Sequence, residues 1–535
     1  MFNMGHLRHD QERAVSHVLK CLERRRVTVL RAPTGFGKTL TGIEIARRWG
    51  ESTVVAVRTR NQLSRYVEDM VLFYNDVPRI LLNRLLTCFK YGSNCKSCLF
   101  NNVLDKKVII SNRLFDPYSR DVLYFFRSRG ACLYRSFTSI DSNLTVCTYP
   151  FIIHSRLRRR IGSPSLLIID EAHNIENITS IVIDVNRVLR LLSMFLDVVK
   201  RRRIRDSMVL HCMNNVMTYI RSVKNLDHVR EILTCLETVF SRLFSDSSPP
   251  LELAELFVEV CSCFETVLEM GLDYITYDNN MLMFRTLDLE MIGRFLEQFD
   301  RVVLMSATLP DRWFLRQVWG IDDVEVIDVD YRYDNISISI IPDVTSRFSR
   351  RSVEMYRSTA AILDRIVSRA DKNVLIFFPS YEYLRNTARH MRTRIEQVSD
   401  IGEAVKLARE GKHVYADVIG GRLSEGIELV DRVRRTLLVS DLTVVGIPYP
   451  KYDEYMRRLL KRLEDRGIRP EVYLIEKAWT SVRQAIGRAC RLGYSGHVRI
   501  WLLDERYRSE IWLRKIYTLS RDVRIVPACS IIGLS

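Results

Sequence analysis

Residues 26–40 read RVTVLRAPTGFGKTL, and the fold of the chain turns on them. The β-branched run Val27–Leu30 predicts a buried strand, and the glycines that follow end it in a tight turn. Gly35 and Gly37, beside Thr34, let the backbone curl so that its N–H groups cradle phosphates. Lys38 then reaches the terminal phosphates and the Thr39 hydroxyl can hold Mg²⁺. Ala32 stands where the general pattern has its first glycine. Strand, glycine-rich turn and helix start, in that order, predict an ATP-binding loop.

Working outward, the apolar run SLLIID ends in Asp170 and Glu171, followed by Ala172 and His173. Beside a phosphate loop, this predicts a strand whose Asp170 holds Mg²⁺ and whose Glu171 activates water. RVVLMSATLP predicts another strand, ending at Ser306, Ala307 and Thr308. GGRLSEGIEL carries Gly426 and Glu428. QAIGRACR spaces Gln484, Arg488 and Arg491 by four and three, which predicts one helix face presenting arginines to a transferred phosphoryl group.

The chain has 535 residues, a net charge of +17 and twelve cysteines. The length allows several domains. No apolar run approaches the roughly 20 residues of a membrane span, and MFNMGHLRHDQERAV has charge where a signal peptide needs its apolar stretch. The expectation is a soluble, cytoplasmic protein without membrane contact. The basic runs ERRR, RLRRR and KRRRIR favour a polyanionic partner or form solvated faces.

Four cysteines crowd together in the pattern Cys88-x6-Cys95-x2-Cys98-x33-Cys132. Four thiolates suit a 4Fe–4S cluster or a tetrahedral Zn²⁺, and ligand chemistry leaves both open. Cys147 competes with Cys132, but it lies in NLTVCTYPFII, a strand pattern in which a buried thiol is natural.

Taken together, APTGFGKT, DEAH, SAT, GRLSEGIE and QAIGRACR resemble the motifs of superfamily-2 helicases, and SEGIE with IGRACR is similar to the XPD/DinG branch, of compact archaeal type. The resemblance implies an iron–sulfur cluster on Cys88, Cys95, Cys98 and Cys132, and an adenine-reading role for Arg8 and Gln11. It also implies nucleotide contacts by Gly426 and Glu428 in the segment that includes them. The chain departs from the family in Leu133, where proline usually follows the last ligand, and in Glu428, where aspartate is usual.

Spacing locates the extra material. Lys38 to Asp170 is 132 positions and His173 to Ser306 is 133, far beyond ordinary loops. The expected fold is α/β, with two RecA-like motor domains and two inserts in the first. Motor domain 1 takes residues 1–80, 141–174 and 281–310. The iron–sulfur insert takes 81–140, a helical arch takes 175–280 with a single break at SSPP, and motor domain 2 takes 311–535. Below roughly 70–80 residues a fold needs a staple, which a cluster provides. In motor domain 2, NVLIFFPS, HVYADVIG, RTLLVSDLTVVGIPYP, EVYLIEK and HVRIWLLD are the expected strands.

The resemblance implies an ATP-dependent DNA helicase moving 5′→3′ on single-stranded and forked DNA, in nucleotide excision repair or related repair, with repair-protein partners; a monomer is the expectation, which no residue pattern decides. Expected DNA contacts are Arg58 and Thr59, Tyr149, and Ser380 with Tyr381. The alternatives are a DinG-like helicase for R-loops or displaced strands, a lesion-verifying DNA-binding protein, and a zinc-stapled RNA helicase.

Overall fold

The computed structural model describes residues 7–88, 100, 102–245, 249–329, 333–397, 401–421, 429–431, 434–490 and 493–532. It forms two compact units. One comprises Met1–Leu30, Lys38–Met305 and Asp311–Ile327; the other comprises Arg31–Gly37, Ser306–Pro310 and Asp328–Ser535. The fold is α/β and built on parallel sheets.

The first unit contains a seven-stranded sheet in the order Val324–Asp328, Val27–Arg31, Val302–Ser306, Leu166–Asp170, Thr53–Val57, Leu144–Thr148, Arg79–Ile80. Thr53–Val57 pairs in parallel with both Leu144–Thr148 and Leu166–Asp170. The strand Leu166–Asp170 pairs with Val302–Ser306, which sets Asp170 opposite Met305. Leu166–Asp170 and Val302–Ser306 are buried along their whole length, as expected of parallel strands covered on both faces.

The insert before the acidic strand contributes the helices Arg84–Thr87, Lys106–Ser111, Arg120–Ser128 and Leu133–Thr138 among the described residues. The insert after it is helical over Val185–Arg202, Ser207–Tyr219, Leu226–Leu243 and Leu251–Met270. These are four helices, where the single SSPP break predicted two stretches. The missed turns carry polar caps rather than glycine or proline. Asp206 accepts from the amides of Met208 and Val209, and Asn225 from that of His228, each satisfying otherwise orphaned helix donors. The insert is also not wholly helical. Ser180–Asp184, Met281–Arg285 and Tyr274–Asp278 form an antiparallel sheet in that order at its base. Its hairpin turns at Asn279 and Asn280, both with positive φ, as the favoured two-residue hairpin turn requires.

Two of the three basic runs are partly paired within the fold. In RLRRR, Arg156 pairs with Glu237 and Glu265, Arg158 with Glu269 at 3.3 Å, and Arg160 with Glu255 at 3.9 Å. That run docks the helical insert onto the segment leading to the acidic strand. In ERRR, Arg25 pairs with Asp323 at 3.1 Å and the Arg26 amide donates to the same carboxylate at 2.8 Å. KRRRIR instead lies at the turn between two insert helices with Lys200, Arg201, Arg203 and Arg205 exposed.

The second unit carries a six-stranded sheet, parallel throughout, in the order Val414–Val418, Asn373–Phe378, Val439–Val445, Val498–Leu503, Ile336–Ile341, Val523–Ile525. Apolar clusters cover both faces. Ile362, Leu363 and Ile366 pack on one side, and Ala478, Trp479, Val482 and Trp512 on the other. EVYLIEK is not a strand. Pro470 opens a helix that runs to Ala489 and passes through it. Proline at a first helical position is pre-organised for the helix, and the buried Tyr473, Ala478, Trp479 and Val482 keep one face inward. The expected boundary at Pro310 is also displaced: the helix Arg312–Gln317 and edge strand Val324–Asp328 belong to the first unit.

Candidate functional site

The strand Val27–Arg31 hands the chain to a loop in which Gly35 and Gly37 have φ of 85° and 87°, a region that side chains other than glycine enter at a cost. The helix Lys38–Trp49 begins at Lys38. Phe36 is fully buried and anchors the loop from beneath, while Thr34, Lys38 and Thr39 stay half-exposed.

Asp170 ends its strand buried. Its Oδ1 accepts from the Glu171 amide at 2.9 Å and its Oδ2 from the Tyr66 hydroxyl at 3.2 Å. Burial pushes its carboxyl above the usual carboxylate range, and the Glu171 charge adds to that push. Lys38 opposes it. A buried carboxylate with two neutral donors and no guanidinium has oxygen lone pairs left for a hard cation, which is the donor chemistry Mg²⁺ takes. Asp170 therefore fits the metal expected of it.

Glu171 sits in the left-handed conformation, φ 53° and ψ 41°, which turns the chain sharply at the strand end. His173 Nδ1 is 3.4 Å from Glu171 Oε2, and the Asn174 side-chain amide lies 2.8 Å from His173 Nε2. With Nε2 accepting from Asn174, the ring's N–H faces Glu171, so the histidine orients the acid.

Tyr149 differs from expectation. It is only 6% exposed, and its hydroxyl donates to the carbonyls of Asp170 at 2.7 Å and Glu171 at 3.1 Å. A buried ring offers no face to a base, so Tyr149 positions the acidic turn instead of stacking on DNA. Tyr66 performs a matching task and was not foreseen. It lies on the buried face of Arg60–Tyr74 with Leu63, Val67 and Met70, where periodicity reads it as core. Gly42 makes room for it, since a methyl group there would stand 3.0 Å from the Tyr66 hydroxyl.

Within the second unit, the loop segment Arg31–Gly37 meets the arginine-bearing helix. A methyl group at Gly487 would stand 2.8 Å from Thr34 Oγ1. The Ala32 amide donates to Ser306 O at 3.2 Å, and the Thr480 hydroxyl donates to Thr308 O at 3.3 Å. Gln484 and Arg488 are half-buried on this helix, one turn apart. The helix stops at Ala489 and Cys490 is extended. Arg491, Gly426 and Glu428 lie outside the described residues.

Gln11 is buried in the first helix, and its side-chain carbonyl accepts from the Arg8 amide at 2.8 Å. Thr59 caps the helix Arg60–Tyr74, with Thr59 Oγ1 accepting from Gln62 N at 3.3 Å and Gln62 Oε1 from Thr59 N at 2.9 Å. Arg58 is half-exposed just before it. Ser380 caps Tyr381–Ala388, and Tyr381 stands 56% exposed.

Cys88 follows the helix Arg84–Thr87, and Cys132 caps Leu133–Thr138, its sulfur accepting from the Arg135 amide at 3.5 Å. The Arg84 guanidinium lies 5.8 Å from the centre of the Tyr134 ring, joining the two helices. Both thiols are half-exposed, whereas Cys147 is fully buried and burial pushes its thiol up. Among the described residues no group of three or more His, Cys, Asp or Glu is placed to hold a metal ion. Cys95 and Cys98 lie outside the described residues. Cys88 and Cys132 thus sit at the ends of two helices in contact, each carrying a thiol that is a soft ligand by chemistry.

Two parallel sheets, a glycine loop against an arginine-bearing helix and paired carboxylates at a strand end define a P-loop motor of the helicase class. Residues 363–522 match the family model described as a helicase C-terminal domain, and 4–194 match the type III restriction enzyme res subunit. ATP-dependent DNA helicase XPD of Sulfolobus acidocaldarius is 25% identical over 96% of this chain and 99% of its own length. ATP-dependent DNA helicase chl-1 of Caenorhabditis elegans is 31% identical over 31% of this chain and 22% of its own. Among solved structures, an XPD helicase superposes with a TM-score of 0.70 at 22% identity, covering 98% of this chain and all of that one. Xpd4 of S. tokodaii gives 0.64 at 19%, covering 97% and 100%. Along nearly its whole length the chain is similar to XPD helicases. No helix among the described residues is long and apolar enough to cross a membrane.

Proposed function

We propose that this protein is an ATP-dependent DNA helicase that translocates 5′→3′ on single-stranded DNA, opens forked duplexes, and serves nucleotide excision repair or related repair as a monomer inside the cell. The observation that carries the reading is the acidic turn: a buried Asp170 and a Glu171 oriented by His173, held from two sides by the Tyr66 and Tyr149 hydroxyls. Lys38 draws on the terminal phosphates. Thr39 and Asp170 would hold Mg²⁺, which when bound would neutralise charge on the phosphates. Glu171 takes the proton of the attacking water, and Arg488 with Arg491 neutralises charge on the transferred group. Arg8 and Gln11 read the adenine, Gln484 and the Gly426–Glu428 segment complete the nucleotide contacts, and Ser306–Thr308 links the loop to the arginine helix. Arg58, Thr59, Ser380 and Tyr381 grip DNA.

Cys88, Cys95, Cys98 and Cys132 would hold a 4Fe–4S cluster, which staples an insert too small for its own core. Purified without oxygen, the protein should contain about four iron and four sulfide per chain, lost in Cys88→Ser and kept in Cys147→Ser. The function is tested with forks carrying a single 5′ or 3′ tail. Unwinding of the 5′-tailed fork alone, abolished in Lys38→Ala, is the expected result. Unwinding that survives Lys38→Ala would sink the motor, and preference for the 3′ tail would reverse the polarity.

A further inference from the structure

We propose that the carboxyl edge of the second sheet is a base-stacking platform for single-stranded DNA, formed by Phe348, Tyr381 and Tyr452. This deepens the reading above and rests on it. Phe348 is 81% exposed, Tyr452 68% and Tyr381 56%. Single exposed apolar side chains are ordinary on a surface. These three, however, stand on segments leaving the same edge of one parallel sheet, Tyr381 at the first turn of a helix, the edge where such sheets bind ligands.

The strands identify the edge. Tyr381 follows Asn373–Phe378, Tyr452 follows Val439–Val445 and Phe348 follows Ile336–Ile341. In the sheet order the first and last of these strands are three places apart, about 14 Å at the usual strand spacing. A stacked strand advances about 3.4 Å per nucleotide, so the edge accommodates a few bases.

The loops are fastened to one another. Ser346 receives hydrogen bonds from the Ile447 amide at 3.3 Å and Arg506 at 2.7 Å, and its own amide donates to Asp504. Arg351 lies 3.4 Å from Glu382, with its guanidinium over the rings of Phe348 and Tyr383. The turn Phe348–Arg350 buries none of its residues, so Phe348 is not covering a core.

Charge favours a nucleic acid. Arg347 and Arg350 share one carboxylate, Glu505, at 3.2 and 2.7 Å, which leaves a net positive pair flanking the ring. Lys451 is exposed beside Tyr452. Aromatic faces interleaved with cations hold single strands without sequence preference, each stacked base contributing about 1–3 kcal/mol.

The test compares two ligands of equal length and charge: a dT oligomer and an abasic strand. Phe348→Ala and Tyr452→Ala should each weaken dT binding by roughly 5- to 150-fold, leave abasic binding within twofold, and retain the wild-type melting temperature. Phe348→Trp should restore dT affinity. Equal losses on both strands would assign the residues to backbone grip and overturn the proposal. Unchanged dT affinity would overturn it too, leaving the rings to a protein partner. If the wild type bound neither strand, the helicase reading itself would fall.

Discussion

Each sheet ends one of its strands in a buried aspartate, and the two are treated in opposite ways. In the second unit Asp504 follows Val498–Leu503 with no exposure. It receives two side-chain hydrogen bonds from Arg506 at 2.7 Å, a backbone amide of the same residue at 3.0 Å, and both the amide and hydroxyl of Ser346. In the first unit Asp170 receives one hydroxyl and one amide. The saturated acid is structural, tying two loops to a strand end. The under-coordinated one is kept at a cost to stability, and that cost marks it as the acid that binds something. Burial alone distinguishes neither; the inventory of donors does.

Asp170→Asn should break the comparison most strongly. Hydrolysis should fall by at least ~10³-fold, the scale of losing a phosphoryl-stabilising group. Burial raises the folded carboxyl to about 6, so the protonated form is lost as pH rises through that value and the ionised acid costs stability at pH 8. The nucleotide-free variant should therefore melt higher than wild type at pH 8, and the gain should vanish near pH 4. A lower melting temperature at pH 8 would remove the contrast.

Asp504→Ala should behave oppositely, losing about 3–5 kcal/mol in denaturant unfolding because Arg506 is left buried and uncompensated. A variant as stable as wild type would show Asp504 to be no more structural than Asp170.

His154 extends the contrast to a base. Burial lowers its imidazole to about 4, and its Nδ1 lies 3.3 Å from Thr266 Oγ1 on the last insert helix. The Thr266 hydroxyl already donates to Ser262 O, so His154 Nδ1 donates, and burial keeps the ring neutral at physiological pH. Its contribution is complete above the unfolded value near 6.5 and is lost as pH falls toward about 4. At pH 5 the loss should be about 2 kcal/mol, and His154→Gln should flatten that part of the stability–pH curve.

The smallest effect belongs to Tyr66→Phe. Removing one hydrogen bond of about 1 kcal/mol should lower hydrolysis roughly fivefold and leave nucleotide affinity unchanged. A loss as large as that of Asp170→Asn would make Tyr66 part of the chemistry.

Much of this was legible because it is punctuated. GFGKT, DEAH and SAT each sit where an apolar run stops, and a buried strand that stops at a functional turn is the clearest pattern a parallel sheet writes into its sequence. The illegible parts have physical causes. EVYLIEK is rich in residues strands favour, but Pro470 and the long helical pattern beyond it decide its conformation. The turns at Asp206 and Asn225 use side-chain caps, which resemble ordinary surface polar residues. Tyr66 shares its periodicity with core leucines, and only the three-dimensional neighbour Asp170 reveals its hydroxyl's task. Tyr149 is expected at DNA from its position in CTYP, where strand-end packing is the other reading, and its burial decides for packing. RLRRR looked available to DNA because its partners Glu237, Glu255, Glu265 and Glu269 lie a hundred residues away.

The antiparallel sheet at the base of the helical insert has a consequence for how such a chain changes over time. Ser180 is paired with Arg285, and the Thr286 amide donates to Thr179 O at 3.2 Å. The chain thus leaves the motor sheet and returns to it at one point. Whatever lies between could change in length without re-threading a strand, so long as the last insert helix keeps its contacts with Arg156 and His154.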